Sequence, residues 1–341
     1  MSQVLTVLPA AVSRRRFLQI TAATGALALA GGVIAPSLLA PQATTHSAVR
    51  TLMGTRIHLT VVADDARQAE TAITATFDAM ARLVALFDHR QPASALATLN
   101  RSGYLAAAPV EMVDVLKQAV EFGELTAGAF DVTVKPLLDA RRAGVTDLST
   151  LRSVVDYRQI EIDGQRVRLG LRGAAITLDG IAKGRVIDGG VEALRQLGFD
   201  QVLVEAGGDL RTLGQRADGT PWRVGIAHPR RAAQGEVLSV LPVAAQAVAT
   251  SGDYMDTFAA DYSEHHILDP RSGRSPVDLA SATVLAATAM EADALGTALM
   301  VLGSQAGLAL AERLPGVEAV LVTKDLRVLA TSGAAVRQAT A

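Results

Sequence analysis

The chain contains no cysteine. That excludes disulfide frameworks, thiol catalysis, thiolate metal sites and lipid attachment through a cysteine, and it suits an exported protein that folds without thiol oxidation. Charge is also scarce. Only 19% of the 341 residues are Asp, Glu, Lys or Arg against 50% hydrophobic, which excludes a disordered chain and a charged coiled coil. The 34 acidic and 32 basic residues nearly cancel, and no basic tract follows the first twenty residues, so no nucleic-acid partner is expected. No repeat of fixed period is evident. A chain of this size can bury roughly three quarters of its unfolded surface, ample for a self-supporting core.

The first forty residues read as an address. Ser13-Arg14-Arg15-Arg16-Phe17-Leu18-Gln19 precedes an uncharged, small-apolar run from Ile20 to Ala40. Paired arginines ahead of a moderately apolar segment match the pattern of twin-arginine export. A transmembrane anchor is the competing reading. The weak hydrophobicity of Ala and Gly, with Gly31-Gly32 and Pro36 inside the run, favours the signal. Ala40 offers an end for it, and residues 41–49 then form a linker. The expected location is the periplasm or cell envelope, and an uncleaved signal would attach the chain to a membrane.

Between Thr51 and Ala63 apolar and polar residues alternate, as in a strand. Ala69, Ile73, Phe77, Met80, Leu83 and Val84 recur at three and four, which predicts an amphipathic helix ending near Asp88. Asn100 to Gly103 reads as a turn, Glu111 to Thr126 as a second helix, and Ile160 to Leu171 as a hairpin turning at Asp163-Gly164. Lys183 to Leu197 is a helix stopped by Gly198. Gln201–Glu205, Trp222–Ala227 and Val237–Val248 read as strands, Ala289–Leu302 and Gln305–Leu314 as a helix pair, and Ala319–Thr323 and Val328–Thr331 as closing strands. The mixture lacks the regular alternation of a barrel or a doubly wound sheet. The expected class is α+β, one domain over residues 50–335 in two lobes.

Four stretches are too polar and too glycine-rich for their surroundings. Leu178-Asp179-Gly180-Ile181-Ala182-Lys183-Gly184, continuing to Asp188, opens a helix, where unpaired N–H groups, the helix dipole and the Lys183 charge together suit a phosphate. A helix capped by Asp179 beside a solvated lysine accounts for it equally well, and the spacing is not that of a P-loop. Glu205-Ala206-Gly207-Gly208-Asp209 follows a strand, and its glycine pair allows either close approach of a ligand or a tight turn. The third stretch runs from Ala249-Thr250-Ser251-Gly252-Asp253-Tyr254 to His265-His266-Ile267-Leu268-Asp269-Pro270. Adjacent histidines on a strand face opposite ways, so they would not chelate one ion, yet one can accept a proton while the other packs. Last, Asp293 and Thr297 lie four apart in an otherwise apolar helix, a hard-oxygen pair suited to Mg²⁺ rather than Zn²⁺. Alternatively Asp293 caps its own helix and Thr297 bonds a backbone carbonyl.

Taken in order, these segments resemble the ApbE family of flavin transferases. The resemblance rests on MGT at Met53–Thr55, SALATLN at Ser94–Asn100, GAFDVTVKPLL at Gly128–Leu138, DGIAKG at Asp179–Gly184, EAGGDLRTLG at Glu205–Gly214 and PWRVGIAHP at Pro221–Pro229. It continues through ATSGDY, HHILDPRSG and ADALGTALMVLG, the last at Ala292–Gly303. It implies a two-lobed fold of mixed and antiparallel sheets flanked by helices. It also implies an enzyme that binds FAD and Mg²⁺ and transfers FMN to a Thr or Ser hydroxyl of an acceptor flavoprotein, releasing AMP. By the resemblance, Met53, Ala129, Phe130, Asp131, Thr177, Asp179 and Ile267 are cofactor-binding residues, with Phe130 either a stacking surface or core. Lys183 lies on the phosphate side. The metal is expected at the Gly180 carbonyl, the Asp293 carboxylate and the Thr297 hydroxyl. His266 is the candidate for activating the acceptor hydroxyl, with Asp269 fixing its loop.

Two departures stand out. Family members often read DLGGIAKG where this chain has Thr177-Leu178-Asp179-Gly180, which moves the acid, and the aromatic that commonly precedes PxS is missing around His89-Arg90. Both bear on substrate affinity more than on reaction class. The competing functions are an FAD pyrophosphatase, with water in place of the protein hydroxyl, and a non-enzymatic flavin-binding protein.

Overall fold

The computed structural model describes residues 4–5, 44–231 and 234–334. The expected export segment, apart from Val4-Leu5, and the end of the expected domain lie outside the described residues. Val4–Leu5 (β1) is an edge strand. Thr44–Leu52 (β2) and Thr55–Ala63 (β3) pair antiparallel from Thr44↔Ala63 to Leu52↔Thr55. The single strand expected from Thr51 is therefore the end of one arm and all of the other, and β2 takes in most of the expected linker. Met53 and Gly54 form the two-residue turn with φ of 53° and 73°, the left-handed pair that a tight hairpin requires.

Ala66–Phe87 (α1) starts at Asp65, whose carboxylate accepts the N–H groups of Arg67 and Gln68, and it buries the stripe its periodicity predicts. Ala95–Ser102 (α2) replaces the turn expected at Asn100. Asn100 sits in the last turn of that helix, and its amide exchanges two hydrogen bonds with the backbone of Ile176, at 2.8 and 2.7 Å. Tyr104–Leu105 (β4), Val110–Leu125 (α3), Lys135–Arg142 (α4), Ile160–Asp163 (β5) and Arg166–Leu169 (β6) complete the smaller lobe around a sheet ordered β4-β6-β5.

The larger lobe contains Ala182–Gln196 (α5), Val202–Ala206 (β7), Asp209–Leu213 (β8), Trp222–Ala227 (β9), Val237–Val243 (β10) and Ala247–Gly252 (β11). Leu279–Ala286 (β12), Ala289–Ala311 (α6), Glu318–Thr323 (β13) and Val328–Ala330 (β14) follow. The sheet order is β1-β14-β13-β12-β11-β8-β7-β3-β2, antiparallel throughout. The strand expected over Val237–Val248 breaks near Ala245, whose φ is 53°, because its halves join different sheets. Helices α1, α5 and α6 pack on one face. On the other, the β9–β10 hairpin lays Val224, Ile226, Leu241 and Val243 against Val248, Leu285 and Val320. Strand β12 lies between these layers and all eight of its residues are buried. Helix α6 breaks at Gly303 (φ 79°, ψ −178°), giving the two expected rods.

Helices α5 and α6 touch at their N-terminal turns. A Cβ on Gly184 would stand 2.2 Å from the Ala289 carbonyl oxygen and 2.5 Å from Met290 Cα. Gly184→Ala should therefore lower the unfolding free energy by about 1–3 kcal/mol or more in urea titrations, although alanine is intrinsically the better helix former by about 1 kcal/mol. An unchanged midpoint would contradict this packing.

Candidate active site

The contact between α5 and α6 is polar where the helices begin. From α6, Asp293 Oδ2 accepts the Gly184 N–H in the first turn of α5 at 3.0 Å. From α5, Asp188 accepts the N–H groups of Ala289 and Met290 at 2.9 Å each and pairs with Arg211 at 2.7 Å. Each helix thus supplies the carboxylate that caps the other. Thr288, not Asp293, caps α6 from its own chain segment, and Asp179 makes no cap to α5. One turn beyond Asp293, the Thr297 hydroxyl lies beside Gly180: a Cβ there would meet Thr297 Oγ1 at 2.8 Å, so only glycine lets the two elements approach.

Lys183 is not a solvated lysine. Its ammonium pairs at 2.6 Å with Asp209, which is 1% exposed and whose other oxygen accepts the Thr250 N–H. Burial pulls the Lys183 pKa down, but the nearby Asp209 and Asp293 charges outweigh it and raise it well above the ordinary lysine value. Gly207 and Gly208 are the left-handed turn of the β7–β8 hairpin, and that turn delivers Asp209 to the lysine. Burial pushes the Asp293 carboxyl up to about 7, with the Lys183 charge opposing the rise. Among the described residues Asp293 Oδ1 and the Gly180 carbonyl accept no hydrogen bond, and Thr297 Oγ1 has only Ser251 Oγ at 3.4 Å.

His266 is half-buried at the neck of the loop 256–266. Its backbone N–H and its Nδ1 both meet the Asp256 carbonyl, at 2.9 and 3.1 Å. Burial sets its pKa below the ordinary histidine value, against the pull of that carbonyl and of the Asp256 carboxylate. Asp179 is exposed, and its charge reaches His266, Asp293 and Arg90 alike. Asp179 thus lies between the His266 loop and the N-terminal turn of α5, within electrostatic reach of both.

Residues 53–321 match the model of the ApbE family. The chain belongs to the ApbE family. It is 32% identical over 293 residues to the FAD:protein FMN transferase of Salmonella typhimurium, across 78% of this chain and 82% of that one. It is 35% identical over 219 residues to that of Vibrio cholerae, across 60% of this chain and 65% of the relative, a little under two thirds of its length. Among solved structures, the flavin transferase ApbE from Vibrio cholerae superposes with a TM-score of 0.73 at 30% identity, over 85% of this chain and 98% of that one. The ApbE protein of Thermotoga maritima gives 0.76 at 27% identity, over 85% and 97%. The fold is the α+β architecture of this family, and the family places the chain among the transferases.

Within this ApbE fold the expected site residues divide. Gly180, Lys183, Asp293 and Thr297 come together, with Asp179 next to Gly180 in the chain; His266 lies on the loop 256–266, within reach of the Asp179 charge. Phe130 is core. It is 3% exposed, packs edge-to-face on Phe122 at 6.2 Å, and turns only a ring edge toward Gly180. Ala129 and Ile267 are buried in the same cluster. The Asp131 carboxylate is spent on Thr133 and on the Tyr157 N–H, and Thr177 Oγ1 accepts the Asp179 N–H. Asp269 binds the backbone and guanidinium of Arg271, which closes its own turn. Met53 stands in the β2–β3 turn, where the adjacent Thr55 meets Gly207. Sequence reasoning missed Asp188 and Asp209 as partners of the site, although the glycine pair before Asp209 was the available signal.

His265 is fully buried while His266 is half-buried. Its Nε2 meets the Pro276 carbonyl at 3.1 Å, its Nδ1 has no hydrogen-bond partner, and burial lowers its pKa to about 4. An unfolded histidine titrates near 6.5, so the unfolded chain takes up the proton first as pH falls. Stability should therefore drop from about pH 6.5 towards pH 4, by at most about 3 kcal/mol from this residue. His265→Gln should flatten that slope in denaturant titrations across the window, and an unaltered slope would count against the neutral buried ring.

Proposed function

We propose that this chain transfers the FMN half of FAD to a threonine or serine hydroxyl of an acceptor flavoprotein and releases AMP. The observation that carries the reading is the convergence of Lys183, Gly180, Asp293 and Thr297 at two abutting helix N-termini. The relatives named FAD:protein FMN transferase supply the substrate class.

The free oxygens of Asp293, Thr297 and Gly180 fit Mg²⁺: one carboxylate, one hydroxyl and one carbonyl, all hard donors, meet where a side chain at Gly180 would close the gap. A buried carboxylate whose pKa is raised by desolvation is also one that a cation returns to its charged form. When bound, the ion neutralises charge on the pyrophosphate. Among the described residues no three His, Asp or Glu side chains gather as a metal cluster, so this mixed oxygen set is the candidate.

Lys183 holds its proton at neutral pH, so it acts as a fixed positive charge on the phosphates and not as a base. His266 accepts the proton of the attacking hydroxyl. The hydroxyl oxygen then forms a bond to the FMN phosphorus, the bridging P–O bond breaks, and AMP leaves with the bridging oxygen. Met53, Ala129, Phe130, Asp131, Thr177, Asp179 and Ile267 form the surroundings of the nucleotide, with Phe130 acting through packing. The run Arg14–Arg16 ahead of an uncharged segment supports twin-arginine export and work outside the cytoplasm.

Incubation with FAD, Mg²⁺ and a candidate acceptor, followed by intact mass spectrometry, tests the reading. FMN added to the acceptor is expected, whereas free FMN and AMP without adduct would make the chain a pyrophosphatase. Asp293→Ala should lower transfer by about 100-fold or more and abolish its Mg²⁺ dependence while the fold survives. His266→Ala should lose about 100-fold in kcat and keep FAD binding. A normal rate in either variant removes that residue's role.

A further inference from the structure

We infer that Arg142 and Asp256 form a positioning pair that fixes the tautomer and direction of the His266 ring. The inference rests on the reading of His266 as proton acceptor, and it assigns a task to residues outside the group around Lys183 and Asp293.

The tautomer follows from donor chemistry. A carbonyl oxygen only accepts, so a ring nitrogen 3.1 Å from the Asp256 carbonyl must carry the hydrogen. His266 is then the Nδ1–H form, and Nε2 keeps the free lone pair that proton acceptance needs. The His266 backbone N–H donates to the same carbonyl at 2.9 Å, so one oxygen fixes both the main chain and the ring.

What holds that carbonyl lies on helix α4. Arg142, its last residue, binds the Asp256 carboxylate at 2.9 Å, and the preceding Arg141 reaches Glu264 at 3.2 Å. The two partners stand on opposite arms of the loop. Between them the Thr257↔His265 bridge and the bond from Phe258 N–H to the Glu264 carbonyl, at 2.8 Å, close the neck. Phe258 packs against the cluster of Leu137, Leu138, Leu148 and Leu268, which joins the loop to α4 by apolar contact as well. The Arg142–Asp256 pair is half exposed, with side-chain accessibilities of 40% and 49%. Pairs of this kind contribute little to global stability. Its consequence is local: the other bonds keep the neck of the loop closed, while without Arg142 the Asp256 residue loses the anchor of its side chain and its carbonyl holds Nδ1 less firmly.

Three charged groups act on the ring. Asp256 and Asp179 favour its protonated form and Arg142 opposes it, while His265, edge-to-face at 6.4 Å between ring centroids, is itself kept neutral by burial. Loss of Arg142 should therefore raise the ring pKa and loss of the Asp256 charge should lower it. Both should release the tautomer.

Long-range ¹H–¹⁵N NMR of the full-length protein, with His266 assigned from the His266→Gln spectrum, reads this directly. The unaltered chain should show protonated Nδ1 and unprotonated Nε2 above the ring pKa. Arg142→Ala should show both tautomers with a higher pKa, Asp256→Asn both tautomers with a lower one, and Arg142→Lys a return towards the unaltered pKa. Melting temperatures should change little. In the transfer assay both disruptive variants should lose about tenfold in kcat with the KM for FAD unchanged, an effect of the size seen when a supporting hydrogen bond is removed. An Nε2–H tautomer in the unaltered chain, or variants that keep its tautomer and pKa, would overturn the inference. A normal transfer rate in His266→Ala would instead strike the proton-acceptor reading and leave the tautomer result standing.

Discussion

The rest of the site depends on two helix N-termini brought within contact of one another. Each carries unpaired N–H groups and a partial positive charge, so their approach is unfavourable unless negative charge lies between them. Here Asp293 and Asp188 supply it reciprocally, each from the helix opposite. Gly184 makes the approach sterically open, and Gly180 lets the Thr297 hydroxyl close in one turn further along. Lys183 then adds a full positive charge that Asp209 holds in place. The result is a junction of two helix N-termini in which the Lys183 and Arg211 charges stand against the buried carboxylates of Asp188, Asp209 and Asp293, a setting of N–H groups and fixed charge suited to a pyrophosphate.

Burial governs how these groups behave. Lys183 and Asp209 would each be costly alone in this setting; together they are a fixed ion pair, so the lysine's charge is permanent at neutral pH. Asp293 has no such direct partner, and burial raises its pKa. His266, at the half-buried edge, stays neutral for the same reason. Depth and neighbours thus move the three pKa values in different directions, Lys183 and Asp293 up and His266 down.

Much of this was legible in the sequence wherever the signal is local. The stripe of α1, the stop at Gly198, the β5–β6 hairpin and the break between the last two rods all follow from short-range patterns. Asp293 and Thr297 were placed on one face by their spacing, and the Lys183 stretch was placed at the start of a helix. What was not legible depends on distant residues. Strand β12 shows no alternation because layers cover both its faces. Nothing near Asp188 in the chain shows that it caps a second helix, and Asn100 looked like a turn, because their partners at Ala289 and Ile176 lie far along the chain. Phe130 could not be assigned to core or cleft until Phe122 was seen against it.

The strand order has a kinetic corollary. Strand β3 finds its neighbour in β7, as at Ile57↔Ala206, and β8 finds β11 only after a whole hairpin has been made. Closing such long loops precedes any reward from contact, so the sheet zips late and slowly. During synthesis the early β2–β3 hairpin must wait with an open hydrogen-bonding edge until β7 emerges. For that interval both edges of the hairpin are open to mispairing with other chains, whereas in the finished sheet β7 covers β3 and β2 alone remains at the margin.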